Sequence, residues 1–222
     1  MAKPPPVEKK SGRGCCGCGC FLVVILAFIF GALMGVTGLL VYDKAVEITS
    51  TTPAIIPSFD GGDDVYNRTV QKMKDFDHDV HDHLAATVRL SADEINTMIA
   101  HNPSFAGNKI HLYVALSGDQ AHVQTSAPSD LLAKGYILKD RYLYGDMTCS
   151  LNFDSTAKTL NLDLKSFLMG KDAAPKENLP MIQSIINPML NQMLQRDQES
   201  KNVLDQATSI QIENSELVIE TK

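Results

Sequence analysis

Apolar and polar residues are distributed along this chain in three distinct rhythms. The first is an unbroken run: from Phe21 to Tyr42 no residue carries a charge. As a helix these 22 residues would extend about 33 Å, enough for a hydrocarbon core of about 30 Å. A cleaved leader has a shorter apolar region and a small-x-small processing site, and "GLLVYDKAVE" supplies none. The run therefore predicts an uncleaved transmembrane helix over 21–42. Lys3, Lys9, Lys10 and Arg13 precede it against only Glu8, so the N-terminus is expected in the cytoplasm and everything after the span outside. That assigns the chain to the cell (inner) membrane, with a periplasmic or extracellular C-terminal domain.

The second rhythm is helical. Tyr66, Val70, Met73, Phe76, Val80 and Leu84 recur every three or four residues, with Asp63 or Asp64 available as N-cap. In "VRLSADEINTMIAHNP", Ser91 and Glu94 have capping-box spacing, Leu90 and Ile95 can form the hydrophobic staple, and Asn102-Pro103 ends the helix. "NLPMIQSIINPMLNQMLQ" carries a broad stripe of Met, Ile and Leu, which Pro188 is expected to kink or divide. Core packing is the simplest use of that stripe, and its methionines also suit an acyl chain or a partner.

The third rhythm is strict alternation. "KIHLYVAL" and "AHVQTSA" flank the turn Ser117–Gln120; "RYLYGDMTCSLNF" and "TLNLDLKSFLM" flank "DSTAK"; "TSIQIE" and "ELVIE" flank Asn214-Ser215. One-sided alternation predicts antiparallel hairpins with one covered and one wet face, and the terminal hairpin is expected to join the same sheet. Segregated helices and antiparallel strands indicate an α+β fold. The expected organisation is a disordered, basic, Cys/Gly-rich cytoplasmic tail (1–20), the transmembrane helix (21–42), a Thr/Ser/Pro/Gly tether (43–62) and an extracytoplasmic α+β domain (63–222), its antiparallel sheet packed against amphipathic helices.

Charge narrows the partners. Removing residues 1–42 leaves 16 basic against 25 acidic residues, a net of −9, without a basic run. Nucleic acid is therefore not an expected partner.

Candidate chemistry is sparse. Cys15, Cys16, Cys18 and Cys20 are adjacent or C-x-C, lack a second half-site and lie on the reducing side, which argues against zinc and disulfides. Two readings remain: small residues filling the interfacial end of the helix, and reversible lipidation of juxtamembrane thiols. Ala27, Gly31 and Gly35 share one helix face and would let a second helix approach closely, giving a homodimer through the membrane segment. The "DFDHDVHDH" stretch (75–83) offers His78, His81 and Asp82 as metal ligands, the basis of an alternative reading as a metal-dependent envelope enzyme or sensor, against a solvated helix face. Asn67-Arg68-Thr69 is an N-glycosylation sequon where the secretory pathway is eukaryotic. Ser155–Lys158 matches S-x-x-K, but in a hairpin turn and without companion motifs. No Walker loop, G-x-G-x-x-G, G-x-S-x-G or H-E-x-x-H occurs, so neither enzymatic activity nor a cofactor is expected.

The segments "VRLSADEINTMIA", "ALSGDQAHVQTSAP" and "TLNLDLKSFLMGK", within residues 86–171, resemble the YpmS-like family of bacterial single-span envelope proteins, in which an L-S/T-x-x-E-hydrophobic-N helix opens an antiparallel α+β domain. The resemblance implies an anchored extracytoplasmic binding or scaffolding module, for a lipid or an envelope protein, and carries over no catalytic residue.

Overall fold

The computed structural model describes residues 49–129, 141–170 and 172–222, excluding the side chains of Ser104 and Asp172. The expected α+β architecture with antiparallel sheets is present. No helix among the described residues is long and apolar enough to cross a membrane. The span expected at 21–42, its stripe Ala27, Gly31 and Gly35, and Cys15, Cys16, Cys18 and Cys20 all lie outside the described residues.

In chain order the elements are β1 (Thr49–Ser50), α1 (Gly62–His81), β2 (Thr87–Ser91), α2 (Ala92–Ala100), α3 (Pro103–Gly107), β3 (His111–Ser117), β4 (Gln120–Pro128), β5 (Tyr142–Asp154), β6 (Thr159–Met169), β7 (Asp172–Ala173), α4 (Leu179–Arg196), α5 (Gln198–Gln206), β8 (Ala207–Glu213) and β9 (Glu216–Thr221). β1 falls inside the stretch read as tether, where Thr49 and Ser50 pair with Leu143 and Tyr142 of β5. The Arg141 guanidinium holds this entry point, donating to Thr49 Oγ1 at 2.6 Å and to its carbonyl at 2.8 Å.

At the start of α1 the structure departs from the sequence reading. Asp63 and Asp64 are inside the first turn, the N-cap is Gly61, and the carboxylate meeting the helix start belongs to Asp60, which accepts from Gly62 N–H at 2.8 Å. Gly61 is required by close approach: a Cβ there would stand 2.8 Å from Thr97 Oγ1, which itself accepts the Gly61 N–H. Leu84 lies beyond the end of α1 and is exposed, while Met73, Phe76 and Val80 carry the buried stripe.

The capping box of α2 forms as its spacing predicts. Glu94 N–H donates to Ser91 Oγ at 3.2 Å, and Ser91 N–H to Glu94 Oε2 at 2.9 Å. Burial pushes the Glu94 carboxyl up, but hydrogen bonds from Lys72 and Ser91 outweigh it and leave the group below its ordinary value.

Two sheets form where one was expected. The larger runs β3-β4-β5-β6-β7 with β1 on β5; the smaller is β2-β9-β8. The terminal hairpin thus joins β2 and not the larger sheet, because Val88↔Ile219 and Leu90↔Leu217 register puts four apolar side chains on one face. The hairpin tips still touch: Ser215 N–H donates to the Gly118 carbonyl at 3.0 Å, and Gly118 N–H to Ser215 Oγ at 3.0 Å. Gly118 (φ +61) supplies the left-handed first position of its two-residue turn.

Pro188 neither divides nor ends α4, which runs on to Arg196. α5, unforeseen in the sequence, is capped by Asp197, whose carboxylate accepts from Ser200 N–H at 2.8 Å, and buries Val203 and Leu204. One core unites the inner face of the larger sheet (Val123, Met147, Leu160, Leu162) with α1, α4, α5 and the smaller sheet. Full burial of each such side chain is worth about 1.5–3 kcal/mol. Cys149 lies in this core, fully buried, with its thiol pushed up to about 12 mainly by burial, an inert group at neutral pH.

Helix side chains close both long edges of the larger sheet. On β3, buried Asn96 donates to the Val114 carbonyl (2.7 Å) and accepts its N–H (2.9 Å). On β6, Asn187 does the same for Leu162 (3.2 and 2.9 Å) and Asn191 for Leu160 (2.8 and 2.8 Å). An amide side chain presents one donor and one acceptor side by side, the pattern a neighbouring strand would offer.

Candidate functional site

Burial alternates along β4 from Gln120 to Thr125 and along β5 from Tyr142 to Ser150. Ala121, Val123, Thr125 on one strand and Leu143, Met147, Cys149 on the other point into the core, which sends His122, Gln124, Tyr144 and Asp146 to the opposite face. The register sets Gln124 across from Asp146, and His122 and Tyr144 two pairs to either side, on the same face. Cross-strand spacing of this kind lets the four side chains meet.

They form one connected group. Asp146 Oδ1 lies 2.8 Å from His122 Nε2, and Oδ2 accepts from Tyr144 Oη at 2.9 Å and Gln124 Nε2 at 3.0 Å. Gln124 Nε2 also donates to Tyr144 Oη at 3.2 Å. Burial pulls the Asp146 carboxyl up, yet the hydrogen bonds from Gln124, His122 and Tyr144, with the attraction of His122, hold it below the ordinary carboxylate value. Tyr144 is raised above the usual phenol value by partial burial and by the carboxylate it serves. Facing an acceptor-only carboxylate, His122 Nε2 is the donor of this contact. Further along β4, opposite Tyr144, the Ser126 hydroxyl is fully buried without a hydrogen-bond partner among the described residues.

This arrangement suits binding more than nucleophilic chemistry. Ser126 is four residues from His122 along β4, about 13 Å at the rise of a strand, well beyond hydrogen-bond reach. The carboxylate is spent on holding three neighbours in fixed orientations. What faces outward is a preoriented set of a phenol ring, an imidazole and a carboxamide, the residue types that form adaptable polar contacts with a partner.

A prediction follows from the depressed Asp146 value. The carboxylate network contributes stability above about pH 4, the unfolded carboxyl range, and that contribution disappears as pH falls through the lower folded value. Asp146→Asn is therefore expected to cost about 1–2 kcal/mol at neutral pH and to flatten the acid limb of stability. Denaturation midpoints measured from pH 7 down to the acid transition check this; an unchanged acid limb would refute it.

The residues singled out in the sequence lie elsewhere. His78 Nε2 is 3.7 Å from Asp82 Oδ2, both exposed, and His81 closes α1, exposed as well. Among the described residues no three His, Cys, Asp or Glu side chains are grouped so that they could hold a metal ion. Ser155–Lys158 forms the β5–β6 turn, with Asp154 accepting from Thr156 and Ala157 N–H. Asn67 is exposed on α1, while the hydroxyl of its sequon partner Thr69 is bonded to the Val65 carbonyl at 2.9 Å.

The four residues of the sheet-face group were visible only as the polar half of an alternation. The signal was their type, two titratable groups, a phenol and an amide. Nothing in the sequence aligned one strand with the other, because residues 129–141 separate them.

The chain matches no family model, no curated protein and no solved structure.

Proposed function

We propose that this chain is a single-pass, membrane-anchored binding module whose α+β domain, held outside the cytoplasmic membrane by residues 21–42, engages an envelope protein through the polar face of its larger sheet. The carrying observation is the His122–Gln124–Tyr144–Asp146 group, hydrogen-bonded into one orientation on a face the core does not use. The uncharged run Phe21–Tyr42 and the basic residues before it support the anchor and its direction. A protein is favoured over a lipid because this face is polar and aromatic, whereas an acyl chain needs an apolar cavity. The acidic balance of the domain points to a neutral or basic partner surface.

The test places a photo-reactive phenylalanine analogue at Thr148, directly across from His122, or at Gln71, exposed on α1, in the full chain in intact cells. A discrete adduct from position 148, absent from position 71 and lost when His122→Ala is added, is the expected result. No adduct, or the same adducts from both positions, would sink the reading.

A further inference from the structure

The first described residue after the apolar run is Thr49, paired with Leu143 and gripped by Arg141. However residues 43–48 are arranged, the covalent chain from Tyr42 to Thr49 reaches no further than about 25 Å. The far end of β5, Asp154, is eleven residues beyond Leu143, about 36 Å along a strand. If Tyr42 ends a membrane span, the tether is too short for the β5–β6 turn to be directed at the bilayer with Thr49 uppermost.

We propose that the domain stands on the membrane by the end of its larger sheet that holds β1, Arg141 and Tyr142, and that this end contacts the lipid headgroups. The inference rests on the anchor proposed above. Tyr142 suits the position: it is half-buried, opposite Pro128 on β4 and Ser50 on β1, and a phenol with one apolar and one polar end sits well at headgroup depth. The opposite end carries the β3–β4, β5–β6 and β8–β9 turns, exposed and polar. Asp146 lies only three residues from Leu143, so the sheet-face group stands about 10 Å above that base. Its partner must therefore itself lie close to the membrane surface.

The chain contains no tryptophan, so a single introduced one reports alone. Tyr142→Trp at the base, Ala173→Trp on the exposed short strand nearby and Ala157→Trp in the β5–β6 turn are each made in the full chain and reconstituted in phosphatidylcholine vesicles doped with headgroup-nitroxide lipid. The expected result is severalfold stronger quenching at 142 than at 157, with 173 between them. Position 173 keeps the comparison decisive if Tyr142→Trp fails to fold. Equal quenching at base and turn, or stronger quenching at 157, overturns the orientation. No quenching at any position in protein that floats with the vesicles overturns the headgroup contact and leaves the anchor standing. Protein that does not float with the vesicles overturns the anchor, and this inference with it.

Discussion

Replacing Asn96 with alanine is expected to destabilise the folded chain by about 4 kcal/mol, because the substitution strands both the N–H and the C=O of buried Val114 at a cost of about 1–3 kcal/mol each. For a domain of this size that is a fall in Tm of roughly 12 °C, measured by thermal unfolding of the purified chain. Asn96→Asp separates the hydrogen bonds from mere side-chain volume. A carboxylate there can accept the Val114 N–H but faces the Val114 carbonyl without a proton to give, and it is buried. The aspartate variant should therefore recover part of its stability as pH is lowered and the carboxyl is protonated. If Asn96→Ala unfolds within a degree or two of the unaltered chain, the edge of β3 does not depend on this amide.

The second large effect is expected on the opposite edge. Asn187→Ala combined with Asn191→Ala leaves the N–H and C=O groups of Leu160 and Leu162 without the partners that α4 provides, apart from the contact of Gln183 Nε2 with the Leu162 carbonyl at 3.1 Å. The asparagines are themselves only half-buried, so water enters once their amides are gone and replaces some of the bonds, and about 2–4 kcal/mol is expected rather than the full sum. The distinctive outcome is association. An uncovered edge strand is a template for another strand, and the double variant should self-associate with rising concentration at temperatures where the unaltered chain remains monodisperse. Light scattering against concentration decides it; loss of stability without association would show that α4 shields β6 by bulk and not through its amides. Pro188 lies between the two asparagines, on the exposed side of α4, where its missing N–H leaves the amide contacts with β6 in place.

Much of the local architecture could be read before folding. Ser91 and Glu94 specify a helix start because both partners of the capping box lie within one turn. Gly118 and the Asn214-Ser215 pair specify hairpins because a two-residue loop demands backbone angles that few residues accept. α5 was missed because its helical signal is only Val203 and Leu204 in an otherwise polar stretch, too short to show a period. The candidate site was legible only by half: alternation told which residues of β4 and β5 share a face, but not that Gln124 stands opposite Asp146.

By itself, the sequence determined much that depends on neighbours within a few residues or on a long uniform run: the capped start of α2, the hairpin turns, the inward faces of the strands and the uncharged stretch 21–42. Tertiary structure alone decided that the terminal hairpin joins β2, that asparagines from two helices close the edges of the larger sheet, and that His122 meets Asp146. Each of these is a pairing between segments far apart in the chain. Such a pairing is selected by the burial it permits in the assembled core, a quantity no local stretch of residues contains.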